Sequence, residues 1–184
     1  AGVPTITYLT SGAGTFTPGA TTVAMYVEIV GGGGGNGGGG FGPSGGGGGG
    51  YSAKMYTTVS GSYSYSVGAG GTGPASGVTG NGTQGGTTTF DVMSATGGDG
   101  GTLSNPSNYG NNAVGGVGSG GDLNLSGGTS SQSRDVNTNP LSSSISGAAP
   151  RIGGGAAWNT PPANVINPGP VSYTHLRAHE TLRY

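Results

Sequence analysis

Val23-Ala24-Met25-Tyr26-Val27-Glu28-Ile29-Val30 runs without a break into GGGGGNGGGGFGPSGGGGGG at residues 31–50. In the first part Val23, Met25, Val27 and Ile29 alternate with Ala24, Tyr26, Glu28 and Val30. A period of two marks a half-buried β-strand, because successive side chains of a strand point to opposite faces. Residues 51–59 repeat the pattern, with Tyr51, Ala53, Met55 and Thr57 opposite Ser52, Lys54, Tyr56 and Thr58. Two strands therefore flank 20 residues of which 16 are glycine, the exceptions being Asn36, Phe41, Pro43 and Ser44.

Further strands are read on either side. Residues 5–10 form a short one, and Thr15-Phe16-Thr17 ends in the turn Pro18-Gly19. Residues 62–67 place Tyr63, Tyr65 and Val67 on one face, and residues 87–92 are rich in β-branched side chains. The fold class is all-β: a small antiparallel β-sandwich-like domain carrying long glycine-rich extended segments. Its expected organisation is a sheet core over residues 1–93 with a polyglycine insertion at 31–50, then a glycine-, serine- and asparagine-rich region over 94–170. Leu123-Asn124-Leu125 interrupts that region, which is either a disordered tail or a glycine-mediated layer.

The glycine run 31–50 has two readings. One is a flexible loop. The other is an extended polyproline II-like conformation, packed against similar segments where only a residue without a Cβ lets backbones approach. Candidate neighbours recur at residues 68–86, 97–101, 115–121, 127–128 and 153–155. No strict Gly-X-Y repeat is present, so a collagen helix fits poorly. With 47 glycines in 184 residues, side-chain burial alone does not offset the cost of ordering the backbone. Either much of the chain is disordered or its backbone groups bond to one another with unusual density.

Charge excludes several classes. Five basic and six acidic residues leave a net charge of −1, and before residue 171 the only cations are Lys54, Arg134 and Arg151. A nucleic-acid partner, which requires a basic patch, is not expected. The chain has no cysteine, hence no disulfide and no thiolate metal site. Nor does any run approach the roughly 20 apolar residues of a membrane-spanning helix. The start at Ala1-Gly2-Val3 points to a processed product or a fragment.

Catalytic constellations are not found. Glycine patterns of the GxGxxG kind arise by chance here, and the single lysine, Lys54, lies within a strand rather than after a phosphate loop. Serines are plentiful, but both histidines, His175 and His179, lie at the C-terminus, and no base is at hand elsewhere. Glu28, Asp91, Asp99, Asp122 and Asp135 show no paired spacing. The Gly-Gly-Asp-Gly-Gly at 97–101 does not recur as a calcium repeat would, so Asp99 reads as a turn residue. Expected catalytic residues, metal ligands and cofactors are therefore none. The best contact candidates are the aromatics isolated among glycines, Phe41, Tyr109 and Trp158. Large rigid side chains on adaptable loops suit recognition; the bland reading is that each plugs a small satellite core.

Residues 171–184, VSYTHLRAHETLRY, break with the preceding composition: they hold both histidines and three charged residues, Arg177, Glu180 and Arg183. The His175/His179 spacing would align two imidazoles on a helix, but no third ligand follows. The segment resembles the translated sequencing-adapter tail that ends many metagenomic reading frames. In isolation the segment suits a short helix, and the resemblance implies a non-native tail whose removal leaves folding and binding unchanged.

Three groups of phrases in order carry a second resemblance. The first is Gly14-Thr15-Phe16-Thr17-Pro18 with residues 22–30 and the polyglycine run. Gly50-Tyr51-Ser52 follows, with Tyr63-Ser64-Tyr65-Ser66-Val67-Gly68-Ala69-Gly70-Gly71. The last is Gly86-Thr87-Thr88-Thr89-Phe90 with Gly120-Gly121-Asp122-Leu123-Asn124-Leu125. Together they resemble the glycine-rich domain of bacteriophage tail-fibre and appendage proteins. The resemblance implies a β-sandwich-like domain with packed polyglycine layers or displayed loops. Its implied partners are a bacterial surface protein or glycan, other fibre proteins, or copies of itself, and its implied location is the virion or another extracellular setting. Competing expectations are an extracellular filament subunit, pairing strand edges such as residues 5–10, and an ice- or polysaccharide-binding protein with Thr-rich faces.

Overall fold

The computed structural model describes residues 4–38, 44–59, 61–75, 77–103 and 111–130, and the backbone of residues 176–182. Its strands are β1 (Thr5–Leu9), β2 (Ala13–Phe16), β3 (Thr22–Val30), β4 (Tyr51–Tyr56), β5 (Tyr63–Ser66), β6 (Thr88–Phe90), β7 (Met93–Ala95), β8 (Gly118–Ser119), β9 (Leu123–Leu125) and β10 (Leu176–Leu182). They form two antiparallel sheets, ordered β1-β10-β3-β4-β9 and β2-β5-β6-β7-β8. The alternation of β3 sets the core. Met25, Val27 and Ile29 are fully buried and cluster with Tyr56, Phe90, Met93 and Ala95. Tyr63 stacks on Phe90 with ring centroids 5.5 Å apart, and Phe16 reaches the same ring at 6.1 Å. On the opposite face of β3 and β4, Val30, Tyr51 and Ala53 are buried with Tyr26 against them.

Three elements differ from the sequence expectation. Residues 87–92 are not one strand: Phe90 pairs with Met93 across a two-residue turn at Asp91 and Val92. Asp91 holds φ at 52°, a left-handed conformation that such turns usually give to glycine, so no glycine announced the reversal. The sheets also extend past residue 93, through β7, β8 and β9, because two- and three-residue strands carry no legible period. Finally, residues 176–182 form a strand and not a helix. β10 pairs with β1 on one side and β3 on the other, and an isolated helix of that length is marginal in water.

The glycine runs among the described residues are ordered, as the packed reading required, and the expected run at 153–155 lies outside the described residues. Seven extended segments continue the strands at one end of the two sheets: residues 31–38 after β3, 44–50 before β4, 68–74 after β5, 80–86 before β6, 96–102 after β7, 111–117 before β8 and 126–130 after β9. Their hydrogen bonds step in threes. The amides of Gly31, Gly34 and Gly37 donate to the carbonyls of Gly50, Gly47 and Ser44, and those of Gly32, Gly35 and Gly38 donate to Gly86, Thr83 and Gly80, all at 2.8–3.0 Å. Three residues per turn is the period of polyproline II. Residues 68–74, 80–86, 96–102, 111–117 and 127–130 make a row in which each segment bonds to the next, for example Thr83 to Thr72, Gly85 to Gly98, Asp99 to Val114 and Gly127 to Gly116. The hairpin of 31–38 and 44–50 lies on that row, through Gly98 to Gly32, Gly101 to Gly35 and Gly48 to Gly128.

Among the described glycines only Gly12, Gly61, Gly77 and Gly120 have positive φ, and none of these lies within the seven segments. Glycine is needed there for contact, not for conformation. A Cβ on Gly34 would overlap the Asp99 carbonyl, and one on Gly98 the Gly47 carbonyl.

Candidate functional site

Phe41, Tyr109 and Trp158, the expected contact residues, lie in 39–43, 104–110 and 131–175, outside the described residues. The described ends of 39–43 and of 104–110 do meet, and the start of 131–175 joins them, whereas its other end, Leu176, pairs with Ile29 in the sheet. Gly37 donates to the Ser44 carbonyl at 3.0 Å, closing the hairpin on either side of 39–43. Ser44 donates in turn to the Thr102 carbonyl at 3.2 Å, and the Thr102 amide donates to Ser44 Oγ at 2.8 Å. Across 104–110, the Asn111 amide donates to Thr102 Oγ1 at 2.5 Å and Thr102 Oγ1 donates to the Asn111 carbonyl at 3.3 Å. Leu103 donates to Asn81 Oδ1 at 2.8 Å, which ties in the turn around Val78. Ser130, the residue before 131–175, donates to the Ala113 carbonyl and accepts from the Ala113 amide through Oγ. All three chain exits therefore leave from the end of the glycine layer remote from the sheets.

The local logic is that of capping. A glycine ladder that stops leaves backbone donors without partners, and the hydroxyls of Ser44, Thr102 and Ser130 and the amide of Asn81 take up those donors. Ser44 is wholly buried, so its role is structural. Sequence reasoning missed these four. Their signal was a hydroxyl or amide side chain standing at the border of each glycine run. The described part of this end, from Pro74 to Gly82 and at 102–103, 111–113 and 128–130, holds no charged residue, whereas Val78 is exposed. An uncharged surface of Asn, Thr and Ser recognises by hydrogen bonding and contact, with little long-range steering.

Among the described residues Asp99 lies on the outer face of the glycine segment 96–102, where Gln84 donates to it at 3.2 Å, and the other described charged side chains lie in or beside the strands. Tyr51 donates to Glu28 Oε1 at 2.5 Å in the buried second cluster, and Tyr56 donates to Asp91 Oδ2 at 3.2 Å. Lys54 stands 3.9 Å from Asp122 and 5.9 Å from the centroid of the Tyr56 ring. Each serves packing or strand ends. Among the described residues no group of three or more His, Cys, Asp or Glu is placed to hold a metal ion. No described helix is long and apolar enough to cross a membrane.

Compared with known proteins, residues 9–180 match the family described as a glycine-rich domain. No curated protein matches the chain.

Proposed function

We propose a function from one premise, that the chain belongs to the glycine-rich domain family. It is a non-enzymatic adhesive protein of a phage tail fibre or similar extracellular appendage, and it contacts a protein or glycan on a bacterial surface. The observation that carries this reading is the convergence of three chain exits on the far end of a backbone-bonded glycine layer. A layer whose segments are bonded on several sides holds loop ends in fixed positions, and loops on a rigid scaffold are where recognition concentrates. Phe41, Tyr109 and Trp158, in the stretches of sequence that follow those exits, are the anchors in this reading, and aromatic anchors carry a disproportionate share of interface energy.

The test is cosedimentation of the labelled protein with a panel of bacterial species, followed by Phe41→Ala, Tyr109→Ala and Trp158→Ala on the strain that binds. Loss of binding by tenfold or more for at least one variant is expected, at an unchanged melting temperature. Binding should also change little between low and physiological salt, given the uncharged end. Failure to bind any species, or binding that survives all three substitutions together, would refute this reading.

A further inference from the structure

β10 is held between two neighbours that both lie far from it in sequence. It makes five residue pairs with β1, from Thr5↔Glu180 to Leu9↔Leu176, and seven with β3, from Leu176↔Ile29 to Leu182↔Thr22. No short turn joins it to either neighbour. The 45 residues 131–175 separate it from Ser130, enough to span up to about 150 Å when extended. Among the described residues β1 pairs with β10 alone, so a vacant slot would strand β1 and open the edge of β3 beside Met25, Val27 and Ile29. That apolar edge demands a strand. It discriminates little over which one, because its occupant is a segment whose composition breaks with the rest of the chain, has Glu180 in register with Met25, and shifts register between Thr181 and Leu182. Recognition here is by backbone pairing, which any extended segment can supply.

We propose that the slot between β1 and β3 is a strand-acceptor site, filled by the C-terminal strand of the same chain or of a second copy, so that copies join by exchanging this strand. The exchanged strand makes the same twelve residue pairs in either case, and closed exchange of an identical element is a low-cost route to a dimer. The balance is set by concentration. A connection of 45 residues gives the chain's own strand an effective concentration of at most about a millimolar, so monomers dominate in dilute solution and exchange appears when chains fold together at about that concentration.

Tyr8 and Arg177 stand opposite one another in the ladder, Tyr8 is exposed, and the chain has no cysteine of its own. Tyr8→Cys and Arg177→Cys variants, one carrying a size tag, are refolded together at about 1 mM and oxidised, and the disulfide is mapped by peptide mass. A Tyr8→Cys chain linked to an Arg177→Cys chain is expected, in a yield that falls steeply when refolding is done at a thousandfold lower concentration. In that dilute condition the double variant should close its disulfide within one chain. A double variant that closes within the chain while the mixed single variants never link would overturn the exchange. No disulfide in either experiment would overturn the site itself.

Discussion

Within each extended segment every residue belongs to one of three faces. In 96–102 the outward positions are Thr96, Asp99 and Thr102, while Gly97 and Gly100 abut the 80–86 segment and Gly98 and Gly101 abut 44–50. Gly98→Ala would force the Gly47 carbonyl away and leave buried groups unpaired, at about 1–3 kcal/mol for each. Val114→Ala, at an exposed outward position, should stay within about 0.5 kcal/mol of the parent. Urea unfolding of the two variants checks the contrast. The tyrosines supply a second expectation. Burial and the bond to Glu28 push the Tyr51 hydroxyl pKa well above the ordinary tyrosine value, and burial with the nearby Asp91 does the same for Tyr56. A raised pKa means that the folded state holds the proton more tightly than the unfolded chain. This stability is therefore complete below about pH 10 and is lost as the pH rises beyond it. Tyr51→Phe should lower stability at neutral pH by about 1–3 kcal/mol and flatten the alkaline fall, as followed by denaturant titration from pH 7 to 11.

At the scale of elements, β3 and β4 were legible because both faces of each alternate cleanly. The strand expected over 87–92 ran through the turn at Asp91 and Val92 and missed β7, because no glycine marks that turn, and β8 is two residues long. Within polyglycine no pattern can be read at all, since the period of three is carried by side chains that glycine lacks. The clue lay where glycine gives way: Thr96, Asp99 and Thr102, or Val114 and Val117, recur at every third place with glycines between, and these are the outward positions. The candidate site was half legible. Isolation among glycines singled out Phe41 and Tyr109, but the meeting of their flanking residues depends on ladders between segments far apart in sequence, which no local pattern encodes. β10 carries the sharpest reversal. Its foreign composition predicts that removing residues 171–184 changes nothing, whereas its place between β1 and β3 predicts the opposite. Truncation after Pro170 should lower the thermal midpoint and bring the amides of Thr5–Leu9 into rapid hydrogen exchange, while those of 31–38 stay protected. Exchange measured by mass spectrometry on both forms decides between them.

Seen whole, the molecule joins two kinds of cohesion end to end. Near β3 and β7 it is a small apolar sandwich, and in the segments that continue its strands it is a bundle held by backbone hydrogen bonds, whose eight-residue central segment spans about 25 Å at polyproline II rise. The bundle spends its glycines on proximity and leaves the capping of its far end to Ser44, Thr102 and Ser130. Its period also imposes a rule on descent. Because each segment turns through a full circle in three residues, inserting or deleting one or two residues would swing side chains onto the carbonyls of a neighbour, while a change of three preserves every face. Homologous segments should therefore differ in length by triplets, nine nucleotides at a time, and paired segments should gain or lose them together.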